Sequence, residues 1–151
     1  MEPIKCFIAI GDSCLLKERG CVFMGGIVIN ATQHVATAEQ KAVGVWDLSD
    51  DIRKKVQRMI TFDEIPSPKE LEDAAQGVVD LLILAQGSII PGQEVMIGGA
   101  PFFMASLENA IRRAGARPVY AFSKRESMDE PQKDGSIKKV TVFRHAGFVR
   151  V

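Results

Sequence analysis

The chain has 151 residues, of which 46% are hydrophobic and 25% charged, as expected of one globular domain with a core of its own. Nineteen basic residues balance nineteen acidic ones, which argues against a surface built for long nucleic acids. Because the net charge is zero, a site for an anion would have to be built from a few neighbouring cations and backbone N–H groups. No apolar run reaches the roughly 20 residues that span a membrane, and the N-terminus lacks a long apolar stretch. We therefore expect a cytoplasmic protein with no membrane partner.

The cysteines also argue against a secreted protein. Cys6, Cys14 and Cys21 are odd in number and crowd into the first 21 residues, unlike a disulfide framework. We expect them to be reduced and buried. No C-x-x-C pair occurs, and His34 and His145 lie far apart, so the sequence predicts neither a metal site nor a cofactor.

The first half of the chain predicts short strands and helices in alternation. Cys6–Ile10 and Cys21–Met24 are apolar runs typical of strands, and the second leads through two glycines into Ile27–Ile29. Ile27–Ile29 is apolar on both faces, which favours a central parallel strand. The elements expected next are a helix over Thr37–Val43 stopped by Gly44, a weak strand over Val45–Leu48, and a helix over Asp50–Met59 capped by Ser49.

The clearest local signal is a capping box with proline at the first helical position, Ser67-Pro68-Lys69-Glu70. Apolar residues from Leu71 to Ile83 follow at helical spacing, and the helix should end near Gly87. After it we expect a strand over Glu94–Ile97, a helix from about Phe102 to Ala114 closed by Gly115, and a strand over Pro118–Phe122.

The last part of the chain changes its periodicity. Ser136–Phe143 alternates with period two, and Asp134-Gly135 before it is a hairpin signal. The sequence thus predicts an α/β fold: a Rossmann-like, mostly parallel sheet flanked by helices, with a C-terminal antiparallel β-hairpin and an extra N-terminal strand or hairpin. We expect a single domain over 1–151, with 1–23 as an N-terminal extension and 24–151 as the core.

Ligands of such sheets bind beyond the carboxyl ends of the strands. Three predicted loops qualify, and each has a plain structural alternative. Thr32, Gln33 and His34 offer a hydroxyl, an amide and an imidazole, or only a capped turn. Gly98, Gly99, Ala100 and Pro101 precede a helix N-terminus that can hold an anion, or form only a tight turn. Ser123, Lys124 and Arg125 can grip a phosphate, or be solvated charges.

The terminal hairpin is basic. Lys138 and Arg144 are further candidates for phosphate contact, and Lys138 and Lys139 must point to opposite faces. His145 is a candidate acid or base, although a lone histidine is more often structural.

The second half of the chain resembles a known family. Val95–Phe102, Pro118–Glu126 and Asp134–Phe148 occur in an order similar to that of a small CRISPR-associated ancillary ring-nuclease family with a CARF-like, Rossmann-type fold. Upstream, His34 with Thr37, Glu39 and Gln40 fits the start of the same pattern. The resemblance covers about residues 27 to 148 and is strongest over 93–148.

The resemblance implies an activity that composition alone does not suggest. It implies a homodimer that binds and cleaves a cyclic oligoadenylate, cyclic tetra-adenylate, without a metal. A ribose 2′-hydroxyl would attack the adjacent phosphate and leave a 2′,3′-cyclic phosphate. Lys124, His145 and Ser123 would be the catalytic candidates, and the other loop and hairpin residues named above would bind ligand.

Two departures from the family pattern stand out. The glycine loop lacks the family's acidic residue, and residues 1–23 precede the family's usual start, as an added hairpin or because Met24 is the true start. Two alternatives to a ring nuclease therefore stay open. One is a nucleotide-binding sensor or sponge of the same fold, and the other is a structural or partner-binding protein.

Overall fold

The computed structural model describes residues 26–151, so the strands expected at Cys6–Ile10 and Cys21–Met24, and the three cysteines, lie outside the described residues. In chain order the elements are β1 (Val28–Asn30), α1 (Ala38–Ala42), β2 (Val45–Asp47), α2 (Asp50–Met59), α3 (Pro68–Gln86), β3 (Glu94–Met96), α4 (Pro101–Arg113), β4 (Arg117–Pro131) and β5 (Ile137–Arg150).

The strands form one five-stranded sheet in the order β2-β1-β3-β4-β5. The first four run parallel, and β5 pairs antiparallel with β4. The predicted α/β class, with a mostly parallel sheet and a C-terminal antiparallel hairpin, is confirmed. The chain leaves β1 toward β2 on one side and returns to β3 on the other. The strand order therefore reverses between β1 and β3, where the carboxyl ends of strands make a crevice for ligands.

The same reversal places the helices. Crossovers between parallel strands are right-handed, so the step from β1 to β2 puts α1 on the face opposite the helices of the later steps. Ile29 and Val95 pack on one face of the sheet with Val56 of α2, Val78 of α3 and Leu107 of α4. On the other face, a smaller cluster contains Val28, Ala36, Val45, Met96 and Val119, with Phe148 packed against it.

The helix ends follow local chemistry closely. In α3, the Ser67 hydroxyl accepts from the N–H of Glu70 while the Glu70 carboxylate accepts from the N–H of Ser67, which confirms the predicted capping box. Thr37 caps α1 in the same way with Gln40. Ser49 does precede α2, but its side chain makes no capping hydrogen bond.

β1 is shifted by one residue from the predicted Ile27–Ile29, because Asn30 belongs to the strand rather than to the loop. Asn30 is only 2% exposed, and a buried polar side chain of this kind is not visible in an apolar pattern.

The larger difference lies in β4. The strand predicted over Pro118–Phe122 continues to Pro131, and it stays paired with β5 down to Pro131 opposite Ile137. β4 pairs with β3 over only Arg117 to Val119, so most of the two-stranded ladder extends beyond the sheet. This ladder, from Ser123 to His145, is called the hairpin arm below. Its β4 residues are all exposed, so this segment lacks the apolar pattern from which a strand is predicted.

None of the helices among residues 26–151 is long and apolar enough to span a membrane.

Candidate functional site

The loop after β1 is shaped by Asn30. The Asn30 Nδ2 donates to the carbonyl of His34 at 2.8 Å and to Oδ1 of Asp47 at 2.7 Å. The Asn30 Oδ1 accepts from both the N–H and the hydroxyl of Thr32, at 3.0 and 2.7 Å. Both N–H donors and both lone pairs of the amide are therefore used. These hydrogen bonds offset the free-energy cost of burying the side chain and hold the loop over residues 31–35 in one conformation.

Asp47, at the end of β2, completes this network from the neighbouring strand. Its carboxylate also accepts from the N–H of Ala36 at 2.9 Å and pairs with Lys41 at 3.2 Å. Burial raises the pKa of the Asp47 carboxyl, but the hydrogen bonds from Ala36, Asn30 and Lys41 outweigh burial, and the pKa lies below its ordinary value. An ionised Asp47 thus holds the loops after β1 and β2 together.

Gln33 and His34 stand at the tip of this loop, where both side chains are exposed. The Gln33 amide nitrogen lies 3.3 Å from Nε2 of His34. Because the network below them is saturated, these two side chains remain available to a ligand.

The loop after β3 adjoins the loop after β1. A Cβ placed on Gly98 would lie 3.7 Å from Cγ2 of Thr32, so the two loops touch at the point where the strand order reverses. Gly99 has a φ of +152°, a conformation that a side chain would disfavour. The structure thus brings together two of the three predicted loops, from Thr32, Gln33 and His34 to Gly98, Gly99, Ala100 and Pro101.

This second loop leads into α4, a helix of 13 residues with Pro101 at its first position. Ala100 precedes it and supplies no side-chain cap. Among residues 26–151, no hydrogen bond uses the N–H groups of Gly99, Ala100 or Phe102, whereas the N–H of Phe103 bonds to the Ala100 carbonyl. Free N–H groups at the positive end of a helix are a suitable environment for an anion.

The third predicted group is not a loop. Ser123, Lys124 and Arg125 lie within β4 and pair with His145, Arg144 and Phe143 of β5. Strand alternation puts Ser123 and Arg125 on one face and Lys124 on the other. Ser123 is four residues beyond Val119, or about 13 Å along the strand, so the group rises past the carboxyl edge of the sheet. Within the part of the chain that the structure describes, neither cation forms an ion pair.

The remaining cations are placed differently. Arg144 is bound to Glu39 of α1 at 3.1 Å and lies 3.8 Å from Glu126. The N–H of His145 donates to the same Glu39, and that bond, followed by the Arg144 guanidinium, holds the pKa of the Glu39 carboxyl below its ordinary value. Lys138 lies opposite Glu130, next to the last pair of the ladder, so one copy of the chain does not bring it to the loops.

The His145 side chain faces elsewhere. Both of its ring nitrogens are buried without a hydrogen-bond partner among the described residues. The centroid of its ring lies 4.9 Å from the centroid of the Phe148 ring. The His145 ring lines a cavity of about 970 Å³ together with residues around the amino ends of β1 and β3, including Gly26, Val28 and Glu94, and with Trp46 of β2. We call this the amino-edge cavity. It includes the residues that begin β1 and β3, whereas the loop site lies where these strands end.

Asn30 and Asp47 organise the site although the sequence does not single them out, and Glu39 is singled out only by the family resemblance and not by its contacts to Arg144 and His145. Asn30 stands at the end of an apolar run, which is the one hint that it might be buried. Asp47 and Glu39 act across 17 and more than 100 residues of sequence, and no local pattern shows such partners.

The two loops at the carboxyl edge thus combine free N–H groups, a hydroxyl, an amide and an exposed imidazole, and the hairpin arm beyond the edge carries one unpaired cation on each face, Lys124 and Arg125. These groups suit a ligand with several phosphates and hydrogen-bonding edges. Among residues 26–151, no three His, Cys, Asp or Glu side chains are grouped so as to hold a metal ion.

Comparison with known protein families gives a match over most of the chain. The model of the Uncharacterized protein MJ1673 family matches residues 27–149, so that both loops and the hairpin arm lie within the matched range. No curated protein and no solved structure matched the chain.

Proposed function

The chain belongs to the MJ1673 family, and from the geometry of its strand ends we propose that it binds a phosphate-bearing nucleotide across the loops after β1 and β3. One observation carries this proposal. The N–H groups of Gly99, Ala100 and Phe102 have no partner among residues 26–151, and they stand at the N-terminus of α4 beside the Thr32 loop. Such groups favour a negatively charged ligand through both hydrogen bonds and the helix dipole.

The ligand that we propose is a cyclic oligoadenylate, cyclic tetra-adenylate in the first place. Its support is the resemblance of Val95–Phe102, Pro118–Glu126 and Asp134–Phe148 to the CRISPR-associated ring nucleases. Lys124 and Arg125 lie on opposite faces of the arm, and an unpaired cation on either face suits a ligand that carries one phosphate per nucleotide.

Cleavage of the bound ring is a second function, and the exposed imidazole of His34 favours it. His34 stands at the tip of the loop whose Thr32 lies beside Gly98, so it can take the proton from a 2′-hydroxyl as that oxygen attacks the adjacent phosphate. The bond from phosphorus to the 5′-oxygen of the next nucleotide breaks at the same time, and that leaving oxygen takes a proton from water. Lys124 and the backbone N–H groups would stabilise the charge that develops on the phosphate oxygens. We assign proton transfer to His34 rather than His145, whose ring lies in the wall of the amino-edge cavity.

We also propose that the working form is a homodimer. A ring of four phosphates has a symmetry that two identical subunits match. The hairpin arm supports the dimer, since it leaves Ile137 and Phe143 about 70% exposed on one face of the ladder.

Binding is tested with purified protein and cyclic tetra-adenylate. At a ligand concentration of about 100 times Kd the folded state gains about 2.7 kcal/mol, which should raise Tm by about 5 to 10 °C. Lys124→Ala should weaken binding about tenfold or more, because a hydrogen bond to a charged group contributes about 1.5–3 kcal/mol. Lys133→Ala is the matched control, since Lys133 is an exposed lysine beside the hairpin turn.

Product analysis in the same samples separates binding from cleavage. Conversion to a 2′,3′-cyclic phosphate that is abolished by His34→Ala, with the Tm shift retained, is the expected result for a nuclease. A Tm shift with intact ligand leaves a sensor or sponge. No shift at millimolar ligand, in the presence or absence of Mg²⁺, would contradict this ligand.

A further inference from the structure

The hairpin arm has one long strand edge that is open to solvent. β4 pairs with β3 only over Arg117 to Val119, so in the described part of the chain its β3-facing side is uncovered along the whole arm, from Ser123 to Pro131. Among residues 26–151, the backbone of this stretch makes no backbone–backbone hydrogen bond outside the β4–β5 pairing. Such an edge offers a row of N–H and carbonyl groups to another strand.

Two hydrogen bonds show which residues of β4 form this edge. The carbonyl of Val119 accepts from the N–H of Ile97 on the β3 side, at 2.9 Å. The N–H of Gln132 donates to the carbonyl of Ser136 on the β5 side, at 2.8 Å. Because the backbone groups of successive strand residues point to opposite sides, the odd-numbered residues of β4 point away from β5.

The one irregularity of the ladder leaves this alternation unchanged. The register shift between Phe122 and Ser123 skips Ala146, so the extra residue lies in β5 and not in β4. Proline has no N–H, and Pro131 therefore presents only its carbonyl to the open edge. The residues that present both an N–H and a carbonyl there are Ser123, Arg125, Ser127 and Asp129.

The charges along this edge are complementary to those of a second copy. Lys124 and Arg125 lie at the base of the arm and Asp129 and Glu130 lie nearer its tip, all exposed and none in an ion pair among residues 26–151. Two β4 edges that pair antiparallel about a two-fold axis at Ser127 set Arg125 of each copy opposite Asp129 of the other. The same register sets Lys124 opposite Glu130, and opposite charges directly across a strand pair are favourable.

Neighbouring registers lack this complementarity. A two-fold axis one residue closer to the base would set Glu126 opposite itself, and an axis one residue closer to the tip would set it opposite Glu130. Like charges directly across a strand pair are unfavourable. The outer edge of β5 is no better suited to a second copy, because the lysines and arginines of its arm portion are all cations: Lys138, Lys139 and Arg144.

We infer that two copies of this chain join edge to edge along β4, antiparallel and about a two-fold axis at Ser127, so that their arms form one four-stranded sheet. The contact is isologous, as a two-fold axis requires. The backbone groups from Ser123 to Pro131 supply about eight hydrogen bonds, and the cross-strand charges fix the register. The inference rests on the proposed homodimer, whose contact it names, and not on the identity of the ligand.

This contact is compatible with the other roles proposed for the arm. A two-fold axis perpendicular to the sheet keeps Ile137 and Phe143 of both copies on the same face of the joined arms. The ion pairs across the edge stay in contact with water, so Lys124 and Arg125 can still meet a phosphate.

Two charge-reversal variants of the full-length chain test the pairing. Arg125→Asp sets acid opposite acid across the edge, and Asp129→Arg sets base opposite base, so each variant alone should dimerise about tenfold more weakly than the wild type. An equimolar mixture of the two restores opposite charges at both contacts, so it should dimerise as tightly as the wild type. Sedimentation velocity over a range of micromolar concentrations measures each variant and the mixture.

The mixture also controls for folding, because an arm that had lost its structure would not recover its partner. Glu64→Arg is the matched control for charge, since Glu64 is an exposed acid in a loop outside the arm, and this variant alone should dimerise like the wild type. Ser127→Pro removes an N–H that points to the open edge and none that bonds to β5, so it should also weaken the dimer by at least about tenfold.

Two results would overturn the edge pairing alone. In the first, both reversal variants dimerise as tightly as the wild type, which would leave the proposed dimer to the apolar face of Ile137 and Phe143. In the second, the variants are monomeric alone and stay monomeric when mixed. A monomeric wild type would remove the dimer as well as the edge pairing. None of these results bears on nucleotide binding, which the Tm shift with ligand measures separately.

Discussion

At the scale of single residues, Asn30 and Asp47 decide the shape of the candidate site. Asn30 is the buried polar side chain of the described core, and it joins the loop after β1 to the carboxylate that ends β2. The exposed side chains of Gln33 and His34 contribute nothing to this network, apart from the His34 backbone carbonyl. Asn30 thus holds the loop in shape, while the exposed Gln33 and His34 side chains are the ones that a ligand can contact.

The ionised form of Asp47 should make stability depend on pH. Its pKa in the folded chain lies below the unfolded value of 3.8, so its contribution is present above that value and is lost as pH falls through the folded pKa. Asp47→Asn should cost about 1–2 kcal/mol at neutral pH, and its difference from the wild type should shrink as pH falls below 3.8, the ordinary value of this carboxyl. Urea unfolding between pH 7 and 2.5 measures this.

Asp63→Asn is the control for that series, since Asp63 is an exposed loop carboxylate. It should follow the wild-type profile. A difference between Asp47→Asn and the wild type that stays constant down to pH 2.5 would show that the charge of Asp47 is not what stabilises the loops.

At the scale of elements, a glycine inside a helix and a glycine just after a helix allow a matched test of how an added Cβ changes stability. Gly77 lies inside α3, where a Cβ would meet only Sδ and neighbouring atoms of Met59, the nearest at 3.1 Å. Met59 is flexible and 40% exposed, so it can move aside. Gly77→Ala should therefore stabilise the protein by about 0.5–1 kcal/mol through helix propensity.

Gly115, just after α4, should respond in the opposite direction. A Cβ there would meet nothing within 4 Å, but φ is +88°, so Gly115→Ala should cost about 1 kcal/mol through backbone strain alone. Chemical denaturation of both variants is the measurement. Destabilisation by Gly77→Ala would mean that Met59 is held in place more tightly than its exposure indicates.

At the scale of the whole molecule, the hairpin arm is the feature that a lone copy explains least well. An isolated two-stranded ladder is marginally stable in water, yet in this one every β4 residue from Ser123 to Pro131 is exposed. A second copy that covers the arm would remove this difficulty, which is why the arm supports the proposed dimer.

The dimer can be tested through the exposed apolar face of the arm. Ile137 and Phe143 share that face, at 70% and 69% exposure, so Ile137→Arg with Phe143→Arg should convert a dimer into a monomer at micromolar concentration. Sedimentation velocity measures this. Ile65→Arg, at a loop residue that is 98% exposed, should leave the dimer intact. A wild-type chain that sediments as a monomer would refute the dimer.

Local sequence patterns therefore predicted most of the fold. The capping box at Ser67, the helical stripe after it and the strand-to-helix alternation all depend on neighbours within a few residues, and they predicted the helices to within one residue at most ends. The period-two pattern after Asp134-Gly135 predicted the antiparallel pairing of the end. Because these features arise from short-range backbone and side-chain chemistry, the sequence alone determined the α/β class.

Only the tertiary structure decided which residues become neighbours at the ends of the strands. The strand order brings Thr32 beside Gly98, across 66 positions of sequence, and the register of β4 with β5 carries Ser123–Arg125 out of a loop and onto the arm. The same packing turns the His145 ring toward the amino-edge cavity and pairs Arg144 with Glu39. A single sequence does not encode such partners locally, because they depend on which strands become neighbours once the core has formed.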